Sequence, residues 1–152
     1  MNKPNSDSNG NIEGWKGINW RKVERYVYKM QKRIYAASRS GNLKRVRRLQ
    51  HTLMRSWFNR VLSVRRVTQD NKGKKTAGVD GVKALTPKAR FELAKTLKPT
   101  GKSDALRRVW IDKPGKDEKR PLGIPTMHDR ALQAVVKNVL EPEFEAWFEP
   151  NS

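Results

Sequence analysis

The stretch 107–133 constrains the fold of this chain more than any other part of its sequence. Arg107–Asp112 alternates bulky apolar and polar side chains and is rich in β-branched and aromatic residues, which is typical of a strand. A turn follows, in which Pro114 fixes one φ angle and Gly115 permits a positive φ. Arg120–Ile124 supplies the return strand. The sequence therefore predicts an antiparallel β-hairpin.

A helix is predicted directly after the hairpin. Thr126 is a good N-cap residue, and Asp129 stands three positions later in the acidic place of a capping box. Apolar residues recur at helical spacing as far as Leu140. Pro142 is predicted to interrupt the helix, because proline has no N–H to donate to the preceding turn.

Two cations flank the turn of the predicted hairpin. Lys113 and Arg120 are seven positions apart, and on paired strands their side chains could converge on one anion. Arginine grips a phosphate with two parallel hydrogen bonds, whereas lysine acts as a point charge. From the spacing alone, an ordinary solvated turn with unremarkable surface charge remains the alternative.

Positive charge is concentrated in one part of the chain. Of the 34 basic residues, 19 lie between Lys16 and Lys75, with two acidic residues among them, an excess of 17 in a chain whose net charge is +19. Such an excess calls for a compact anionic partner, and nucleic acid is the default. An anionic membrane surface and an acidic protein are the alternatives.

The basic part is predicted to form a pair of helices over residues 18–67, after a disordered tail over residues 1–17. Asn19 caps the first helix, Gly41 ends it, and Asn42 caps a second helix that continues to Val64. Their apolar stripes are interpreted as core, and their outer faces as a surface that follows phosphates by backbone and shape rather than by base readout. An ordinary solvated basic face is the alternative. The candidate RNA-binding cations of this pair are Arg21, Lys22, Arg25, Lys44, Arg45, Arg47, Arg48 and Arg55.

Residues 68–82 are predicted to be a loop rich in glycine and lysine. Asp80 within it could suggest a metal ligand, but a single carboxylate in a turn bracketed by glycines is more often a cap or an Asx turn. Thr86 followed by Pro87 predicts the start of a third helix. The remainder, 83–152, contains this helix, the hairpin and the closing helix.

Several function classes find no support in the sequence. There is no cysteine, so no disulfide framework and no thiol nucleophile. His51 and His128 are far apart, with no serine or aspartate constellation around either, and no Walker or dinucleotide-binding motif occurs. No apolar run approaches the length of a membrane span, and no membrane partner is expected. A cytoplasmic location is expected.

The run RRVWIDKPGKDEKRPLGIPTMHDRALQ resembles the fingers region of group II intron reverse transcriptases and maturases. The TAGVDG run at Thr76–Gly81 is similar to a signature upstream of that region, and the basic helical pair resembles the N-terminal extension of these enzymes. The chain departs from the pattern at Asp112, where the family usually has proline. The resemblance implies an α+β fold: a basic helical hairpin, then a fingers-like subdomain of a right-hand polymerase with a short antiparallel β-hairpin.

The resemblance also implies site residues. Lys113 and Arg120 match positions that contact the triphosphate of the incoming nucleotide, and the helical pair would grip template or intron RNA. Asp80 is not among the family's catalytic metal ligands. The segment that lies along the template strand corresponds to Pro121, Leu122, Gly123 and Ile124.

In this family the catalytic carboxylates and their magnesium ions belong to a palm that the resemblance does not cover. No catalytic or metal-binding residue and no cofactor is therefore assigned to this chain, and Mg²⁺ is expected only in the complete polymerase. The chain is interpreted as the N-terminal portion of an RNA-directed DNA polymerase that is inert alone. The alternatives are a stand-alone RNA-binding module of maturase type and a decayed gene fragment. DNA and a separate palm and thumb polypeptide are further candidate partners. Without a palm, one face of the sheet and the helix over 131–140 are expected to lack their packing partner and to expose apolar area there.

Overall fold

The structure is a computed structural model that describes residues 14–148. Within this range it contains mainly helices and one two-stranded antiparallel sheet, which confirms the α+β class. None of these helices is both long and apolar enough to cross a bilayer. The α-helices and strands are α1 (Trp20–Arg39), α2 (Leu43–Met54), α3 (Trp57–Arg65), α4 (Pro87–Thr96), β1 (Arg107–Asp112), β2 (Lys119–Ile124) and α5 (Met127–Glu145).

The predicted helix starts are confirmed by their hydrogen bonds. The side chain of Asn19 accepts from the N–H of Lys22, and that of Asn42 accepts from the N–H of Arg45. The hydroxyls of Thr86 and Thr126 cap α4 and α5 in the same way. Each cap satisfies one of the N–H groups that a helix start leaves without an intrahelical partner.

The turn between α1 and α2 forms as the sequence predicts. Gly41 has a φ of +71°, and its N–H donates to the carbonyl of Ser38 while the N–H of Asn42 donates to that of Ala37. These two bonds are those of a Schellman motif, which requires a left-handed residue where glycine costs least. The motif reverses the chain, and α2 packs back against α1.

The prediction of one continuous second helix is wrong. The helix ends at Met54, and a separate helix begins at Trp57. Ser56 leaves the helical region with ψ of 128°, so the carbonyl of Leu53 loses its regular partner in the following turn. The buried side-chain amide of Asn59 donates to that carbonyl at 3.2 Å. A buried polar group thus stabilises a corner that an apolar periodicity cannot predict.

The predicted interruption at Pro142 is also wrong, since α5 runs through it. Proline at this position leaves the carbonyl of Asn138 without its usual N–H donor. The side-chain amide of Gln31 on α1 donates to this carbonyl at 3.0 Å, and the hydroxyl of Ser38 donates to the carbonyl of Glu143. Neighbouring α1 therefore supplies a donor to the carbonyl that Pro142 leaves without one, and a second donor to the C-terminal end of α5.

Two segments predicted to be irregular are partly ordered. Residues 1–13 of the predicted tail lie outside the described residues, but Gly14–Gly17 forms a 3-10 helix and Trp15 is buried. The indole N–H of Trp15 donates to the side chain of Gln69 at 3.2 Å. Gln69 lies in a π-helical turn, Arg66–Asp70, which occupies the start of the predicted loop and is followed by a 3-10 turn at Lys72–Lys75.

The hydrophobic core lies among α1, α2, α3 and α5, with α4 packed on α3. One face of α5 packs on the other helices, whereas the face expected to lack a palm partner includes the exposed Leu140. Ala131, Val135 and Val139 are buried against the other helices. By contrast, Phe144 in the last turn of α5 and Trp147 just beyond it remain exposed.

The predicted hairpin is confirmed, and it projects from the helices with most of its residues exposed. Arg107 pairs with Ile124, and the antiparallel register continues to the pair Asp112–Lys119. The N–H of Lys116 donates to the carbonyl of Lys113, and Gly115 has a φ of +73°. Proline at the second position and a left-handed glycine at the third are the features of a type II turn.

A buried polar network joins α3 to α5. The amide of Asn138 donates to the side-chain oxygens of Asn59 at 2.9 Å and Ser63 at 3.2 Å, while Asn59 also donates to the carbonyl of Val135 at 3.3 Å. A guanidinium nitrogen of Arg66 donates to the side-chain oxygen of Asn138 at 2.9 Å. Both buried amides thus have partners for donor and acceptor atoms, so the network stabilises one alignment of the two helices.

Replacing Asn59 tests the importance of this network. Asn59→Ala removes a buried amide that bonds to the carbonyls of Leu53 and Val135 and to the side chain of Asn138, and it leaves a small cavity, so we expect the free energy of unfolding to fall by about 2–4 kcal/mol. Urea unfolding measures the change. Thr52→Ala is the control, because it removes an exposed hydroxyl bonded within α2 and should change stability by less than about 0.5 kcal/mol. Equal losses in both variants would contradict a structural role for the network.

Candidate nucleic-acid interface

The candidate cations of α1 lie on its solvent face. Arg21, Lys22 and Arg25 are exposed, while Val23 and Val27 between them are buried and direct the opposite face to the core. This separation follows from the helical period, in which residues three and four apart share a face. The ammonium of Lys22 lies 5.9 Å from the ring centroid of Phe58 on α3.

The candidate cations of α2 are exposed in the same manner, around the buried Val46. Because the Schellman turn reverses the chain, they lie beside the C-terminal end of α1, whereas Arg21 lies at its start. The 20 residues of α1 span about 30 Å. The structure therefore spreads the predicted cations along an extended surface rather than gathering them in one pocket. Those of α2 and its C-cap are Lys44, Arg45, Arg47, Arg48 and Arg55.

Carboxylates neutralise little of this surface. Both acidic residues of the basic region pair with one arginine, since Arg65 lies 3.5 Å from a carboxylate oxygen of Glu24 and 3.4 Å from one of Asp70. Within residues 14–148, no other cation between Lys16 and Lys75 lies within ion-pair distance of a carboxylate. We name the exposed cations of α1 and α2 the basic helical face. Like charges at this density repel one another, and an extended polyanion would relieve that repulsion.

The two cations of the hairpin lie on one face of it. Arg120 is exposed opposite Ile111, and the N–H of Lys113 donates to the carbonyl of Glu118, which extends the same register by one pair. Since side chains alternate between faces, Lys113 and Arg120 are diagonal neighbours across the strands. The ammonium of Lys113 also forms a 2.7 Å ion pair with Glu118, a partner that the sequence analysis missed.

The predicted template segment forms most of β2. Pro121, Leu122 and Gly123 are exposed and Ile124 is half-buried. A Cβ at Gly123 would lie 2.8 Å from a side-chain carbon of Leu106, so this glycine lets Leu106 cover the strand.

Arg130 and Gly78 organise the loop beneath the hairpin, and sequence reasoning missed both. The guanidinium of Arg130 on α5 donates to the carbonyls of Pro125, Gly73 and Thr76. Burial lowers the pKa of Arg130 from its ordinary value, and the nearby carboxylate of Asp80 opposes that shift. The side chain therefore joins two backbone segments, the loop and the segment after β2, to α5, which spacing along the chain does not reveal.

Gly78 approaches the backbone of the segment between β2 and α5. A Cβ at this position would lie 2.7 Å from the backbone nitrogen of Thr126 and 2.8 Å from the carbonyl oxygen of Pro125. The glycine is required by close approach and not by a left-handed φ. This glycine of the TAGVDG run could have indicated a close backbone approach. The sequence could not show which segment it approaches, because Pro125 and Thr126 are distant along the chain.

The predictions for the acidic residues have mixed outcomes. A side-chain oxygen of Asp80 accepts from the N–H of Val82 at 3.1 Å, which confirms the Asx turn. Asp129 does not complete a capping box, because its buried carboxylate accepts from the N–H of Asp104 at 2.8 Å. Across residues 14–148, no three histidine or acidic side chains group in a way that could hold a metal ion. These residues do not fit the carboxylate set of a magnesium-dependent polymerase centre.

Comparisons with known proteins place these features in context. The chain matches the family described as the N-terminal domain of reverse transcriptase over residues 15–97. It is 34% identical to maturase-like protein 1 of Euglena gracilis (86% of this chain, 29% of that protein) and 30% identical to protein YkfC of Escherichia coli K12 (80% and 33%). It is 34% identical to the group II intron-encoded protein LtrA of Lactococcus lactis (52% and 14%). The chain thus spans about a third or less of the length of these relatives.

Gly78→Ala tests the close approach of the loop to the start of α5. The added methyl group would overlap backbone atoms, so we expect the free energy of unfolding to fall by roughly 1–3 kcal/mol. Gly73→Ala is a matched control in the same loop, since its Cβ would meet only the Arg130 side chain at 3.6 Å; we expect a change within about 0.5 kcal/mol. Thermal unfolding measures both. A Gly78→Ala protein as stable as the control would refute the close contact.

Proposed function

This chain belongs to the family of reverse transcriptase N-terminal domains, and from that premise we propose that its basic helical face binds the phosphate backbone of RNA. The observation that carries the proposal is the distribution of charge. Arg65 takes both carboxylates of the basic region, while the cations of α1 and α2 face solvent. Such a face suits a regularly spaced polyanion, and the exposed guanidinium groups are well shaped to bind phosphate oxygens.

Group II intron RNA is the partner class that the relatives favour. One of them is a group II intron-encoded protein and two are named maturase-like proteins. In each the matched region is part of a longer chain, which favours a domain that works within a reverse transcriptase over the alternative of a stand-alone binding module. Recognition would rest on backbone and shape, because the face offers charge along about 30 Å of helix rather than a pocket for one base.

We further propose that the hairpin and the loop beneath it form part of the polymerase fingers and contact the incoming nucleotide. Lys113 and Arg120 share a hairpin face, so both could reach one triphosphate. Arg120 would supply two parallel hydrogen bonds to phosphate oxygens, and Lys113 would neutralise charge there. Binding requires Lys113 to leave Glu118, which costs little because exposed ion pairs contribute weakly. The strand from Pro121 to Ile124 would then lie along the template.

The complete protein that contains such a domain would act as an RNA-directed DNA polymerase. Its metal-binding carboxylates would come from a palm, supplied by a longer chain or by a separate polypeptide. DNA would then be a second partner as the product strand. The part of the chain described here would contribute binding and positioning, which act by holding template and nucleotide in reactive geometry.

Neutralising three arginines of α2 tests RNA binding. The variant Arg45→Gln/Arg47→Gln/Arg48→Gln should lower the slope of log K against log salt by about 2, because each phosphate contact with a single strand contributes about 0.7. Fluorescence anisotropy with a structured intron RNA, a single-stranded RNA and a matched DNA duplex measures it across a salt series.

The matched control removes three exposed lysines outside the basic helical face, as Lys88→Gln/Lys102→Gln/Lys116→Gln. It makes the same change in net charge and should leave the slope nearly unaltered. Equal, weak and salt-labile binding of the RNA and the DNA duplex, or equal effects of the two triple variants, would show that the charge acts generically.

A second test concerns the hairpin. Lys113→Ala/Arg120→Ala should weaken binding of a nucleoside triphosphate to the chain about tenfold or more, since each charge-assisted hydrogen bond contributes about 1.5–3 kcal/mol. Amide chemical shifts followed during the titration measure the affinity. Lys116→Ala/Lys119→Ala, two exposed lysines of the same hairpin, is the control. If the two double variants lose affinity equally, the assignment of Lys113 and Arg120 is wrong.

A further inference from the structure

A basic cavity lies where the C-terminal end of α2 meets α3 and the end of α4. Its volume is about 510 Å³. Three lysine or arginine side chains, Arg55, Arg60 and Lys98, line it together with His51, and no carboxylate of residues 14–148 does so. Met54 and Leu97 provide an apolar wall. A concave site with convergent cations and an apolar wall is suited to an anionic group.

Arg60 differs from the other basic side chains of the cavity in having a buried donor atom without a partner. Its Nε atom is buried and has no hydrogen-bond partner among the described residues. The Nε atoms of Arg65 and Arg90 share this property, but those arginines make other polar contacts, with Glu24 and with the carbonyl of Thr68 respectively. No carboxylate within residues 14–148 lies within ion-pair distance of Arg60.

The guanidinium of Arg60 is also held in place. It lies 5.4 Å from the ring centroid of Trp57, which in turn packs edge to face against Phe91 of α4. An arginine stacked on an aromatic ring has already lost much of its rotamer freedom, so less entropy is lost when it binds a ligand. A guanidinium held in this way, whose Nε has no hydrogen-bond partner among the described residues, is suited to donate two parallel hydrogen bonds to phosphate oxygens.

The cavity continues the charged surface of α2. Lys44, Arg48, His51 and Arg55 recur at intervals of four, three and four residues and therefore lie along one side of the helix. The first two are exposed on the basic helical face, and the last two line the cavity. A chain of phosphates that follows this row would reach the cavity at its end.

We infer that this cavity binds one phosphate group, and that this group belongs to the backbone of the polynucleotide that follows α2. The second part of the inference rests on the proposed RNA binding. Arg60 supplies the oriented guanidinium, Arg55 and Lys98 supply charge from two different elements, and His51 supplies a further donor. The cavity thereby fixes the position of the polynucleotide along α2. The exposed cations alone would bind its phosphates without fixing that position.

Two phosphate sources are distinguished with separate probes. Inorganic phosphate and a ten-nucleotide oligouridylate are titrated into the whole chain, and the Nε–H resonance of Arg60 is followed by NMR. The test variant is Arg55→Gln/Lys98→Gln, and the control is Lys88→Gln/Lys116→Gln, which removes the same charge at exposed positions away from the cavity. Arg60→Lys keeps the charge of Arg60 and removes its planar donor set, and thermal unfolding checks that each variant is folded.

The inference predicts that oligouridylate shifts the Arg60 resonance, and that the salt slope of binding falls by about 0.7 in the test variant, the contribution of one phosphate contact, while the control keeps the full slope. Arg60→Lys should weaken binding at least threefold. Equal slopes in the test and control variants would overturn the site. If the unaltered chain fails to bind RNA, the proposed function fails. The cavity then stands only if inorganic phosphate shifts the Arg60 resonance and the test variant abolishes the shift.

Discussion

The alignment of α3 with α5 depends on two buried amides. Asn59 and Asn138 are almost wholly inaccessible to solvent, at 0% and 3% relative exposure, and each amide is bonded through both its donor and its acceptor atoms. An unpaired amide in this position would be costly, so other alignments of the helices are disfavoured. The same amide of Asn59 binds the carbonyl of Leu53, which places the corner between α2 and α3. One network therefore decides where α2 ends, where α3 begins and how α5 lies beneath them.

The apolar core allows the surface to carry an unusually high positive charge. Self-repulsion among the cations of α1 and α2 destabilises a compact state, and the apolar interior formed by residues such as Val27, Ile34 and Leu53 opposes it. The aromatic side chains assist by contacting cations, as Trp20 does with Arg65 at 4.7 Å. A face that stays charged without carboxylate partners is what a backbone-binding surface requires, and the fold maintains it by placing its polar network inside.

The hairpin is stabilised differently from the helices. Much of its surface is exposed, and an isolated pair of strands is marginally stable. Its base is held by Arg130, which binds the carbonyl of Pro125 just after β2 and those of Gly73 and Thr76 in the loop, and by the approach of Gly78 to Thr126. The tip bears Lys113, which is paired with Glu118, and the exposed Arg120. Rigid attachment at the base with an open tip is consistent with a segment that contacts a ligand.

The sequence by itself determined the local structure. Asn19, Asn42, Thr86 and Thr126 cap the helices, and Gly41 ends one, because capping depends on neighbours within a few residues. The strands, their turn and the exposure of the basic residues followed from periodicities that are equally local. Tertiary structure alone decided the rest, since each remaining feature depends on a partner distant in the chain. Asn59 breaks the second helix by bonding to Leu53 and α5, Gln31 lets α5 continue past Pro142, and the cavity around Arg60 exists only because α4 closes against α3.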